Sequence, residues 1–190
     1  MATQARRRLL ETAEQLFYAE GTRAVGVERI LEESGVGRAS FYRHFKSKDD
    51  LIVAVLRRRD TAWREWLATR VDALASTADA KPLAVFDALE ERFGRQDFRG
   101  CAFINTVVET ADPESTAHAV ANEHKRAVID YLTQLLQAAG HPAPEPTAHA
   151  LHMLMDGAVV TALRERTPDA ARRAKQSAAI LLAATPPVGV

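Results

Sequence analysis

The sequence predicts an all-α protein of about nine helices, with an N-terminal three-helix helix-turn-helix head followed by a larger helical body. Three observations predict it. Alanine, the best helix former, supplies 35 of the 190 residues. Apolar residues recur at helical spacing in one segment after another, and nowhere do β-branched residues alternate with polar ones over a useful length. Residues 25–45 read as a helix, a tight glycine-containing turn and a second helix.

The elements follow in order. Leu9, Ala13, Leu16 and Phe17 fall on one face of a first helix over Thr3–Ala19, with Arg6, Arg7, Arg8, Glu11 and Glu14 mostly around the rest, and Gly21 ends it. Val27, Ile30 and Leu31 make a short second helix closed by Ser34-Gly35. Phe41 and Phe45, four apart, make a third helix of two turns opening after Gly37. Ser47 and Asp50 match a capping box with Asp in place of Glu. The helix they open carries Ile52, Val55, Leu56, Trp63, Trp66, Leu67 and Leu74, and is expected to reach about Ser76. Pro82 is expected to start a fifth helix, and a sixth runs from Cys101 to Ala111. Asp112 before Pro113 reads as the start of a seventh, stopped by Gly140 and Pro142. An eighth is expected over about 147–166 after a proline-rich loop. A ninth follows Thr167-Pro168 and ends before Pro186-Pro187.

Composition bounds the function. With 47% hydrophobic residues and 25 basic against 25 acidic side chains, the chain is globular. The zero net charge conceals a polarity, +3 over residues 1–60 and −3 over 61–190. That pattern suits a small anion-binding head on a different body, and it equally suits ordinary surface variation. One cysteine, Cys101, excludes an intramolecular disulfide framework and fits a reducing compartment. The basic start lacks the apolar core of a signal peptide, and no stretch approaches a membrane span. A cytoplasmic protein without membrane association is expected. No phosphate loop, nucleophile elbow or zinc-protease motif occurs, so neither an enzyme nor a cofactor is expected.

The segment from Gly35 to Leu51 carries the chemistry. With Phe41 and Phe45 inward, helical spacing throws Arg38, Ser40, Tyr42, Arg43 and His44 toward the other faces. Arginine can fork onto guanine, Ser and His can bond phosphates or base edges, and Tyr offers a ring and a hydroxyl. Lys46 and Lys48 stand at the entry of the next helix, where backbone N–H groups also attract phosphate. The same types suit a solvated face in an ordinary bundle. Residues about 9–56, however, resemble the N-terminal domain of the TetR (tetracycline repressor) family of bacterial transcriptional regulators. Phe17, the Gly21 break, Ile30 and Gly35-Val36 carry part of the likeness. Phe41-Tyr42-x-His44-Phe45-x-Ser47-Lys48-x-x-Leu51 carries its specific part. The resemblance implies a homodimer, with recognition helices at about 38–44 entering successive major grooves of a near-palindromic operator. It assigns phosphate contacts to Tyr42, His44 and Lys48, and base-reading positions to Arg38, Ala39, Ser40 and Arg43. Thr22 and the first-helix arginines are expected to add phosphate contacts. Gly26 and Gly37 depart from the family's usual Ser or Thr caps, at a cost of about a few tenths of a kcal/mol.

The division that follows is a DNA-binding domain over 1–47 and an effector and dimerisation domain over 48–190. The resemblance implies a small-molecule effector that releases DNA, held among the middle helices. Trp63, Trp66, Phe86, Phe93 and Phe103 are the candidate apolar lining, and Asn105 and Glu109 the candidate polar anchors. Each aromatic also suits plain core. The Gly100-Cys101-x-Phe103-x-Asn105 stretch with Glu109 resembles a pattern of one TetR subgroup. Leu151, Leu154, Gly157, Ala158 and Ala162, with Ala170, Ala171, Ala174, Ala178 and Leu181, suit either a dimer interface through about 147–184 or a tightly packed internal pair. Two other readings stay open. One is a metal-dependent enzyme using His149, His152 and Asp156, spaced i, i+3, i+7, with His118 and His124 as further histidines. The other is a DNA-binding architectural protein without a ligand. Cys101 is a candidate redox or thiol sensor, or a buried and inert cysteine.

Overall fold

The computed structural model describes residues 2–184. Among them are nine helices and no strand: α1 Ala2–Glu20, α2 Val27–Ser34, α3 Arg38–His44, α4 Lys48–Leu74, α5 Lys81–Phe93, α6 Ala102–Glu109, α7 Thr116–Ala138, α8 Pro144–Glu165 and α9 Asp169–Ala184. The all-α expectation holds. The Pro186-Pro187 stop lies outside the described residues.

Two helix starts differ from expectation by more than one residue, each for a local reason. Helix α7 opens at Thr116 and not at Pro113. The Asp112 carboxylate accepts the Glu114 N–H at 2.9 Å and turns the chain there, and the Ser115 hydroxyl then accepts the His118 N–H at 3.3 Å as the real cap. Helix α8 opens at Pro144, inside the proline-rich stretch, because proline lacks only an N–H that the first turn leaves unpaired.

The chain forms two compact units. The first comprises the residues up to Thr61 together with Ala102–Glu123, and the second comprises Ala62–Cys101 with the residues from His124 onward. Helices α4 and α7 each contribute to both.

In the first unit α1 packs on α2 and α3. The stripe Leu9, Ala13, Leu16 and Phe17 is buried as its spacing predicts, joined by Val25, Ile30, Phe41, Phe45 and Leu51. Phe41 is wholly buried, and burial of such a side chain contributes about 1.5–3 kcal/mol. Its ring meets Tyr42 edge-on at 5.1 Å and Phe45 at 5.9 Å.

In the second unit Phe86, Leu89, Leu132, Leu136 and Leu151 form the core with a run of alanines. Ala170, Ala171, Ala174 and Ala178 are all buried, which lets α9 lie close against α5 and α8. Lys175 fixes that arrangement by donating to both oxygens of Asp87 on α5, at 2.7 and 2.6 Å.

Candidate nucleic-acid interface

The turn between α2 and α3 is set by two glycines with different reasons. Gly35 closes α2 in the left-handed region (φ 61°, ψ 29°), where a Cβ is strained. Its N–H bonds to the Glu32 carbonyl at 3.2 Å and that of Val36 to the Leu31 carbonyl at 3.3 Å. The Arg8 guanidinium lies against it, with Nη2 2.5 Å from where a Cβ would stand. Gly37 opens α3 from ordinary extended backbone (φ −67°, ψ 150°) without a side-chain cap.

Helix α3 turns Phe41 inward and leaves Arg38, Ala39, Tyr42 and Arg43 exposed, with Ser40 and His44 half-buried. Tyr42 is 52% exposed, an unusual position for an aromatic ring that has core beside it. The turn into α4 presents Lys46 and Lys48. It is held by a variant of the expected capping box: the Ser47 hydroxyl accepts the Asp50 N–H at 3.1 Å, but the Asp50 carboxylate accepts the N–H of Lys46, one residue before the cap, at 3.0 Å. Eight of the nine expected DNA contacts, all but Thr22, therefore lie on α3 or at the entry of α4.

Charge networks brace this head. Arg38 pairs with Glu28 of α2. Arg29 donates to Glu20 at the end of α1 at 2.5 Å and to Glu33 at 2.8 Å, and those bonds hold its proton more tightly than usual. The Arg6 guanidinium stands 5.4 Å from the Phe45 ring centre. Of these pairings only Arg29–Glu33, four apart on α2, has a spacing legible in the sequence; the others join different elements.

The ninth expected contact, Thr22, is buried. Its hydroxyl donates to Glu109 Oε2 at 2.7 Å, and the Arg23 N–H donates to the same oxygen at 2.9 Å. Thr22 (expected on phosphate) and Glu109 (expected on an effector) thus hold each other. Beside them is a cavity of about 20 Å³, room for one water, lined by Glu14, Tyr18, Arg59, Asn105, Thr106 and Glu109 among others. Phe103 is buried in the same unit.

The other candidate lining residues belong to the second unit. Phe86 and Phe93 are core, and Trp63 and Trp66 pack partly buried against that core. Phe93 also borders a groove of about 670 Å³ with Arg95, Phe98, Arg99, Leu163 and Arg166. The metal arrangement does not form. Lys125 occupies the Asp156 carboxylate, and His152 Nε2 stands 3.8 Å from its other oxygen. His149 is exposed. His118 Nε2 lies 3.3 Å from the Val107 and Thr110 carbonyl oxygens, and His124 packs on Trp63 with ring centres 5.2 Å apart. Among the described residues, no three His, Cys, Asp or Glu side chains come together to hold a metal. Cys101 is half-buried.

A short glycine-closed turn, an exposed polar recognition helix and a cationic entry to the next helix define a helix-turn-helix DNA-binding protein. Comparison with known proteins specifies which. Residues 9–55 match the family model described as bacterial regulatory proteins, tetR family, and residues 107–184 match the tetracyclin repressor-like C-terminal domain. A TetR-family transcriptional regulator from Streptomyces coelicolor is 35% identical in structural alignment, with a TM-score of 0.84 over 93% of this chain and 94% of that one. The HTH-type transcriptional repressor NemR of Escherichia coli is 27% identical over 133 residues, 70% of this chain and 67% of NemR. The crystal structure of NemR in its reduced form gives a TM-score of 0.80 at 25% identity, covering 92% of this chain and 95% of that one. The chain belongs to the TetR family of bacterial transcriptional regulators.

Proposed function

We propose that the protein is a ligand-responsive repressor that binds a near-palindromic operator as a homodimer and is released by a small-molecule effector. The observation that carries the DNA half is the exposed cluster on α3 and at the α4 entry. Arg38, Ala39, Ser40 and Arg43 are the base-reading positions, and Tyr42, His44, Lys46 and Lys48 hold phosphates. Repression follows the similarity to NemR, which is named a repressor. A cytoplasmic location follows from the same role. The head over residues 1–47, with Lys48 at the entry of α4, carries the DNA contacts, and residues 48–190 otherwise carry effector binding and dimerisation.

Dimerisation is supported by what the outer faces of α8 and α9 leave uncovered. Ala158, Ala162 and the α9 alanines are used inside the chain, whereas Met153 (74% exposed), Val160 (52%) and Ile180 (73%) point out. Gly157 lies exposed on the same α8 face with open space around it, so a second helix can approach closely there. The effector reading is supported by the family and by the groove beside Phe93, which has the size of a small-molecule site.

Selection of random duplex DNA by the purified protein, with sequencing of the bound pool, tests the proposal. The expected result is an enriched palindrome with half-site centres about one helical turn apart or somewhat more. An unenriched pool, with binding lost at about 0.2 M salt, refutes operator recognition.

A further inference from the structure

We propose that Glu109 is a positioning residue for DNA binding: its carboxylate latches the α1–α2 turn and thereby sets the pose of the recognition helix. The inference rests on the reading that α3 recognises an operator. One oxygen, Oε2, accepts both the Thr22 hydroxyl at 2.7 Å and the Arg23 N–H at 2.9 Å, across 87 and 86 residues of chain. The other lies so near Gly21 that a Cβ there would stand 2.7 Å from Oε1. Gly21 also has φ +94°, so the turn's backbone and the carboxylate fit each other only with glycine present.

Electrostatics argue that this carboxylate is not placed for helix stability. Glu109 is the last residue of α6 and lies against the turn that ends α1, and both helix C-termini disfavour negative charge. The groups that favour it are the two donors of the turn. Its own backbone is fixed, because His118 Nε2 sits 3.3 Å from the Val107 and Thr110 carbonyl oxygens around the end of α6. The receiving end needs an anchor. Helix α2 starts from Gly26, which supplies no side-chain cap, so the bond to Arg23, three residues earlier, holds the approach to α2 together with the Arg29–Glu20 pair and buried Val25. Helix α1 packs against both α2 and α3, and a turn free to shift would let that pair rotate on α1. Nonspecific DNA needs only phosphate contacts and tolerates such rotation; base readout does not.

The test uses the full chain and the duplex enriched from the random pool, with a scrambled duplex of equal length beside it. Glu109→Ala and Thr22→Val are expected to lower the ratio of specific to scrambled affinity about tenfold each, about 1.4 kcal/mol. The salt slope on scrambled DNA is expected to stay put. Glu109→Gln, whose carbonyl keeps both lone pairs, and Thr22→Ser, which keeps the donor, are expected to hold the ratio within about twofold. The double variant is expected to lose no more than either single change. An unchanged ratio in folded Glu109→Ala and Thr22→Val overturns the proposal. So does an equal loss on both duplexes, a gain in specific affinity, or loss of folding in both variants, the last of which would make the bond a stability element. Failure to enrich any duplex would refute operator recognition before a variant is made, so the two failures are separable.

Discussion

Two glycines two residues apart in the turn of the head respond to substitution with opposite signs. Gly35 sits at φ 61°, ψ 29°. Alanine there enters the left-handed region at a cost of about 1 kcal/mol. Its Cβ would also meet Arg8 Nη2 at 2.5 Å, but that atom is the far end of an exposed side chain and moves cheaply. Gly37 has φ −67° and ψ 150°, backbone that any residue adopts, and a Cβ there meets nothing within 4 Å. Gly37→Ser therefore restricts the unfolded chain, worth about 0.5 kcal/mol. It also offers a hydroxyl to the first turn of α3, worth a few tenths more at roughly the same scale. For a chain of this length about 1 kcal/mol moves Tm by about 3 °C. Thermal melts followed by circular dichroism should place Gly35→Ala about 3 °C below the parent and Gly37→Ser about 2 °C above it. Equal shifts of one sign would refute the argument from backbone angles, and a neutral Gly35→Ala would refute the left-handed strain alone.

Lys48→Ala is expected to weaken binding alike on all duplexes and to flatten the salt dependence by about one unit of slope for each protomer, and an unchanged slope removes Lys48 from the phosphate contacts. Arg38→Ala is expected to relax base preference at one symmetric pair of operator positions, read by repeating the selection; intact preference would show that Arg38 reads no base. Gly157→Arg is expected to give monomers in analytical ultracentrifugation without loss of helicity, and a dimer of normal affinity would place the interface elsewhere. Burial, aided by Lys125 and His149 and opposed by Asp156, lowers the His152 pKa below its ordinary 6.5. The unfolded chain then takes up that proton more readily, so stability is full above pH 6.5 and declines as pH falls through the lowered value. Urea midpoints across this range should fall less steeply in His152→Gln, and parallel curves would contradict the sign.

What was legible in the sequence was local. The stripe Leu9, Ala13, Leu16 and Phe17, the Ser34-Gly35 stop and the Ser47-Asp50 box each act within a turn or two of helix, and each stands where its spacing places it. Asp112 shows the limit even there. Its carboxylate bonded two residues ahead and made a turn, which a cap followed by proline resembles in sequence. The candidate site was legible by residue type along α3, where side-chain direction follows from helical period once Phe41 is known to point inward. It was illegible for Thr22 and Glu109, because a hydroxyl after a helix and a carboxylate ending another are each ordinary. Only tertiary folding puts them 2.7 Å apart. The aromatics of α4 and α5 were ambiguous for a similar reason, since a ring at helical spacing is equally suited to lining a pocket and filling a core, and Phe93 both joins the core and borders the groove.

On the proposed role of Arg38 as a base reader, its pairing with Glu28 bears on how the head would discriminate. Both side chains are largely exposed, at 60% and 69%, so the pair contributes about 0–1 kcal/mol. A bidentate guanidinium contact to guanine is worth about 1–3 kcal/mol of discrimination, so Glu28 does not withhold Arg38 from the correct base. Against a phosphate or a wrong base the balance is near even, and Arg38 gains little by leaving its carboxylate. The cost of leaving Glu28 is the same in every case, so it cancels a larger share of a weak contact's gain than of a strong one's. On that proposal, an acidic side chain beside α3 is compatible with binding a polyanion.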